Sequence, residues 1–257
     1  MRKGFRIASN YILTLDPANT YAMLLGGLYY SELGKHELSL EILECVLQSD
    51  PDNLYAWVYK GVGLSWLKRH EEALAAFEHA LILDDTNADT WFRKGATLAA
   101  LMRFEEAIVA LDRALALDPQ TFDPYALALN PKLYDDSHIY ITEAWFRKGA
   151  SHGILGQYEE ALVALDRALA LDPKKADAWS LKGLYLASMQ RGEEAITALE
   201  HALTLNPNNT DAWYGKGTAL YTIKQHEQAI AALEHALTLD PTHAAAWYCK
   251  GAALVEL

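Results

Sequence analysis

Cysteine is nearly missing: Cys45 and Cys249 are the only two in 257 residues. They are too few and too far apart to make a disulfide framework or a thiolate metal site. No stretch approaches 18 continuous apolar residues, so no segment reads as a membrane span. Cations are also scarce, with 22 Lys and Arg against 34 Asp and Glu and a formal charge of −12. Nonspecific affinity for nucleic acid or anionic membrane comes from clustered Lys and Arg, so neither is an expected partner. There is no HExxH, no phosphate-binding glycine loop and no dinucleotide fingerprint. No nucleophile has a recognisable base and orienter. The expectation is a protein that is not an enzyme, with no catalytic residue, no cofactor and no metal. The opening MRKGFRIASNYILTLDP interrupts its apolar residues with Ser, Asn and Thr, so it reads as structure rather than as a signal peptide. A reducing, cytoplasmic setting is the default.

What the chain has is a period. Pro17 and Pro51 lie 34 residues apart, Pro173, Pro207 and Pro241 keep that step, and Asp85 fills the slot between Pro51 and Pro119. Tryptophan runs in phase at Trp57, Trp91, Trp145, Trp179, Trp213 and Trp247, each followed four residues later by glycine. Each unit carries two helical stripes. Trp213, Gly217 and Leu220 share one face of a first helix, and Ala229, Leu233 and Ala236 share one face of a second. Small Gly and Ala let the two helices approach, while Trp and Leu fill the space between them. LDP or LNP then stops the second helix, because proline lacks an amide donor and disfavours a helical predecessor. One unit alone cannot bury both apolar faces, so neighbours must stack.

These marks resemble the tetratricopeptide repeat family. Its pattern is matched by Trp91, Gly95, Leu98, Ala107, Leu111, Ala114 and Pro119, and again by Trp57, Gly61, Leu64, Ala73, Phe77 and Ala80. The resemblance implies an all-α fold, a right-handed superhelical solenoid of antiparallel helix pairs, with a concave groove lined mainly by first helices. Full units fall at 20–53, 54–87, 88–121, 142–175, 176–209 and 210–243. A second helix is expected at about residues 2–15 and a closing first helix at about 244–257.

One interruption breaks the ruler. WFRKGA occurs at Trp91–Ala96 and again at Trp145–Ala150, a separation of 54 residues, one period plus 20. The domain reading is therefore repeats over 1–121, an irregular insertion over 122–141, and repeats over 142–257, all in one continuous solenoid. Asp-Pro, Asn-Pro and DDS punctuate the insertion, so a long helix is not expected there. YALAL suits one short helix, and DDSHIYITEAW could start the fourth unit's first helix early, capped by Asp136 or Ser137. Its aromatic residues, including Tyr140, argue that it packs against the solenoid as a plug or clasp, with a recognition loop as the other reading. His152 and Gly153 break the pattern of their unit, which suggests room made for an aromatic side chain of the insertion.

The resemblance also implies where a partner peptide or helix would lie. Candidate groove residues are Tyr55, Tyr59, Phe92, Arg93, Phe146, Arg147, Asp177, Asp211, Tyr214 and Tyr221. The arginines suit paired hydrogen bonds to a carboxylate, and the aromatics suit apolar anchors. Asp89 and Glu143 stand one turn before them, so an internal ion pair is the competing reading. The family's carboxylate-clamp pattern is not met, since Leu24, Leu28, Tyr59 and Asp89 occupy slots that it requires to be Lys or Asn. Six lysines precede the phased glycines, and their expected role is to cover the helix junction with their stems while reaching nearby acids. The phased histidines read as a structural position. The expected function is a non-catalytic scaffold for a protein or peptide partner. The alternative is an architectural protein that self-associates end to end through its terminal helices.

Overall fold

The computed structural model of the chain describes residues 19–117 and 137–257. The helix expected at 2–15, the short YALAL helix and the packing of the insertion before residue 137 lie outside the described residues. Thirteen helices and no strand lie among the described residues. The chain divides into two compact units, Met1–Tyr140 and Ile141–Leu257. The first holds α1 (Thr20–Glu32), α2 (His36–Ser49), α3 (Leu54–Trp66), α4 (His70–Leu83), α5 (Ala88–Ala100) and α6 (Phe104–Ala116). After the division come most of α7 (Ser137–Ile154), then α8 (Tyr158–Leu171), α9 (Ala176–Ser188), α10 (Gly192–Leu205), α11 (Thr210–Thr222), α12 (His226–Leu239) and α13 (Ala244–Val255). Helix α7 starts before the repeat boundary at 142, as the DDSHIYITEAW stretch suggests.

Within each unit every helix packs on the next, and first helices also touch across one repeat, α1 with α3 and α3 with α5, then α9 with α11 and α11 with α13. The chain therefore folds as stacked antiparallel helix pairs. Glycine sets the closeness inside a pair: a Cβ on Gly61 would stand 2.6 Å from Phe77, and one on Gly217 would stand 2.5 Å from Leu233. Around these contacts Phe77, Leu111, Leu165, Leu199 and Leu233 are fully buried.

The turn from first to second helix closes with a bond from the residue three positions past the helix end. Arg69, Arg103, Arg191 and Gln225 donate their amides to the carbonyls of Leu64, Leu98, Leu186 and Leu220, each at 2.9 Å. Such a closure puts the preceding residue in the left-handed region, where glycine is favoured. Gly34 and Gly156 meet that need, whereas Lys68, Met102, Gln190 and Lys224 adopt φ of 60–64° with a side chain attached. Among the described residues the second helices have no side-chain cap, and acids in the first turn, such as Glu105 and Glu106, face the dipole instead.

The turn into each first helix is held by the tryptophan. The indole N–H of Trp57 donates to the Pro51 carbonyl at 2.8 Å, and that of Trp91 donates to the Asp85 carbonyl at the same distance. Only a carbonyl is needed there, which is why Asp85 can replace proline. Asn53, Asn87 and Asn209 then cap the helices by accepting from the amides three residues on. Lysine completes the joint between repeats. Lys94 lies 5.4 Å from the centre of the Trp91 ring and 3.0 Å from Glu78 of the preceding second helix. Lys60, Lys182, Lys216 and Lys250 repeat both contacts. The phased histidines cover the other side of the indole: His79 stacks on Trp57 at 4.2 Å and His201 on Trp179 at 4.7 Å.

Candidate functional site

In the first unit, the first helices α3 and α5 diverge enough to leave a cavity of about 220 Å³ above Phe77. Its walls include Trp66 and Ser65 from α3, His70 from α4, and Phe92, Arg93 and Thr97 from α5. Trp66 is 69% exposed yet held flat, stacked on His36 with ring centres 5.6 Å apart. Arg93 is anchored by Asp89, with Nε 2.6 Å from the carboxylate one turn back. Burial works against its charge, but Asp89 more than offsets this, so the guanidinium holds its proton more tightly than a free one. The pair presents a fixed guanidinium edge beside apolar surface. Tyr140 packs on Phe92 of this wall: its ring meets Phe92 edge-on at 4.7 Å, and its hydroxyl donates to the Ala88 carbonyl. Burial pushes the Tyr140 phenol well above its ordinary pKa, so it stays a neutral donor. Tyr55 and Tyr59 pack on the Leu24, Leu28 and Leu43 core, and Tyr59 lies close enough to Arg93 to act on its charge.

The second unit solves the same positions differently. Glu143 pairs with two cations: its carboxylate lies 2.8 Å from Arg147 Nε and accepts a hydrogen bond from Lys175 at 2.9 Å, and Lys175 also lies 4.5 Å from the centre of the Phe146 ring. Lys175 stands where Asn53, Asn87 and Asn209 cap their helices, and it makes no side-chain cap of its own. Further along, Asp177 is exposed, and Asp211, whose side chain is 74% exposed, lies 4.0 Å from His243. Position six of their helices is Leu181 and Gly215, so neither acid has an arginine one turn on. Tyr214 lines a cavity of about 290 Å³ between α9 and α11. Tyr221 instead packs at the α11–α12 junction, against Leu220 and Ala229 and beside His226.

The sequence-predicted residues thus fall into separate groups. Tyr59, Phe92 and Arg93 converge in the first unit, with Tyr55 beside Tyr59 in the core. Phe146 and Arg147 form a cluster in the second, and Tyr214 lies on a different wall. The space at Gly153 is taken by Tyr185 of α9, since a Cβ there would stand 2.0 Å from that ring. This corrects the expectation that an aromatic of the insertion claims the space. His152 turns to Gln157, with Nδ1 2.7 Å from Oε1. Sequence reasoning passed over His70, Thr97 and Lys175, the last despite an available signal, a lysine in a row of capping asparagines.

The profile described as "Tetratricopeptide repeat" matches residues 88–121, and that described as "Anaphase-promoting complex, cyclosome, subunit 3" matches residues 155–236. No curated protein matches the chain. Among solved structures, the chain is similar to YrrB, described as a TPR protein with an unusual peptide-binding site. The TM-score is 0.63 at 22% identity, over 81% of this chain and 97% of that one. It is similar to Pseudomonas aeruginosa pilF, with a TM-score of 0.69 at 17% identity, over 92% and 98% of the two chains. It also resembles a chain of the APC/C hetero-tetramer Cut9-Hcn1, with a TM-score of 0.68 at 19% identity, covering 99% of this chain but 46% of that one. At these identities the structural likeness speaks for the fold. The two profiles match those stretches, and the 34-residue period of Trp, Gly and Ala, with helix pairs in register with it, resembles the tetratricopeptide repeat family.

Proposed function

We propose that the chain is a non-catalytic scaffold whose first-helix face holds an extended peptide from a partner protein. The observation that carries this reading is the wall of the first unit. There an exposed Trp66, Phe92 and the Arg93–Asp89 pair surround an open apolar cavity. Aromatic and arginine side chains around a partly dry pocket are the usual anchors of a protein interface. The likeness to YrrB, described by its peptide-binding site, is in keeping with this. The Glu143–Arg147–Lys175 cluster carries one more cation than anion and suits an acidic residue of the partner. Asp177 and Asp211 suit basic ones. A reducing, cytoplasmic setting fits the free thiols of Cys45 and Cys249.

Selecting peptides from a random displayed library on the full chain tests the reading. Phe92→Ala and Arg93→Ala are expected to weaken the selected peptides by about tenfold or more each. Val109→Ser, on the exposed face of second helix α6, should leave them unchanged. Peptides indifferent to Phe92 and Arg93 would remove it.

A second reading, end-to-end self-association, has one observation in its favour. On α13 Trp247, Leu254 and Val255 are exposed, and Gly251 has nothing within 4 Å of its Cβ direction, where the equivalent Gly61 and Gly217 meet a second helix. A helix of second-helix type from another copy would cover that face. The candidate donor at residues 2–15 lies outside the described residues. Light scattering decides it: mass that grows with concentration supports association, and a monomer throughout refutes it.

A further inference from the structure

The repeat period allows the cavity of the first unit to be compared, position by position, with the second unit. Val62, Ser65, His70 and Thr97 hold the repeat positions of Ala150, Gly153, Tyr158 and Tyr185. In the second unit the Tyr185 ring takes this place, and the cavity of about 290 Å³ that Gly153, Tyr158 and Tyr185 line together with Tyr214 lies beside the ring. The Tyr185 ring fills the space over Gly153, lies 5.7 Å from the Tyr158 ring in a stacked arrangement, and donates its hydroxyl toward the Ala150 carbonyl at 3.5 Å. Burial pushes the Tyr185 phenol up to about 12, as expected for a ring held away from water.

In the first unit no ring from the next first helix takes that place. Thr97 is too short to reach where Tyr185 reaches, and the cavity of about 220 Å³ remains. That volume is below the roughly 300–1,000 Å³ of pockets that enclose a whole small-molecule ligand, and it suits a single large side chain. His70 offers a ring in place of Tyr158. Its Nδ1 and the Ser65 hydroxyl are both buried, and neither has a hydrogen-bond partner among the described residues. Unmade polar contacts of this kind are costly unless something supplies them.

We infer that this cavity takes one aromatic side chain of the bound peptide, a tyrosine in preference to others. Its ring stacks on His70 as Tyr185 stacks on Tyr158, and its phenol meets the polar atoms of Ser65 and His70. Trp66 and Phe92 flank the entrance. The inference rests on the peptide-scaffold reading and names the residue type that the scaffold selects.

An NMR titration of the full chain with N-acetyl-L-tyrosinamide, and with N-acetyl-L-leucinamide beside it, tests the pocket without a library. Saturable shifts are expected at the Trp66 indole and at Ala96 and Ala100, with a dissociation constant on the order of 1 mM for so small a probe. The leucine probe should bind at least about tenfold more weakly, as expected when a site's polar groups go unmet. The double variant Ser65→Gly with Thr97→Tyr places a ring where the second unit has Tyr185 over Gly153 and should abolish binding. His70→Ala, which keeps the rest of the cavity, should weaken it about tenfold. Equal binding of the two probes, no saturation, or binding unchanged in either variant would overturn the inference. Selected peptides that depend on Phe92 and Arg93 while the tyrosine probe fails would remove the pocket and leave the scaffold reading standing. Saturation by the probe with no selectable peptide would do the reverse.

Discussion

Gly217 and Gly251 occupy the same repeat position and should respond to alanine with opposite signs. At Gly217 a Cβ would stand 2.5 Å from Leu233 Cγ, 2.8 Å from Leu233 Cδ2 and 3.2 Å from the Ala229 carbonyl. Leu233 is fully buried, so the α11–α12 pair must separate or the leucine must leave its rotamer. Overpacking of this kind costs about 1–3 kcal/mol. The alanine recovers up to about 1 kcal/mol of helix propensity, which leaves Gly217→Ala destabilising. Gly251 on α13 meets nothing within 4 Å, so only the propensity remains, and its place near the helix end reduces that to about 0.5 kcal/mol of stabilisation. Urea unfolding followed by helical circular dichroism gives the direction of each change. Because repeat arrays can melt in parts, hydrogen exchange of α11 and α12 supplies the local free energy. Two substitutions of the same sign would refute the claim that close helix approach, rather than glycine content, sets the position.

Met102 adopts φ of 62° in the turn between α5 and α6, a conformation that costs an L-residue about 1–2 kcal/mol. Met102→Gly is expected to raise the urea midpoint, by about 0.5–1 kcal/mol after the glycine's own entropy cost is subtracted. Trp91→Phe removes the indole bond to the Asp85 carbonyl and weakens the Lys94 contact, so thermal denaturation should show a loss of about 1–2 kcal/mol. Tyr185 gives a pH signature. Unfolded tyrosine ionises near its ordinary value while the folded phenol holds its proton to about 12, so the unfolded chain binds fewer protons and stability falls between pH 10 and 12. Melting temperature against pH in the wild-type and Tyr185→Phe chains should show a shallower alkaline decline in the variant.

The repeat was legible because its constraints are local. Proline marks the stop of a second helix, and Trp, Lys and Gly follow from one helix face meeting the next within a few turns. The lysine row illustrates this, since its structural role follows from an aliphatic stem between an indole and an acid. The pairing of Arg93 and Arg147 with the acids one turn back was also readable, although the shared grip of Glu143 on Lys175 was not, because those two residues stand 32 positions apart, at the two ends of one repeat. Gly153 shows the same limit. Its anomaly is plain in the sequence, but the ring that fills it, Tyr185, comes from the next first helix. Contacts across repeats depend on how far neighbouring helices diverge, and a single period does not encode that.

The central claim is that the first-helix face, and not the second-helix face, holds the partner. Photo-crosslinking of a selected peptide measures this directly, with benzoylphenylalanine placed at Trp66 of α3 or at Val109 of α6, both exposed positions. The account predicts crosslinks from position 66, lost in the Ser65→Gly with Thr97→Tyr chain, and none from position 109. Crosslinks from position 109 with none from position 66 would contradict it.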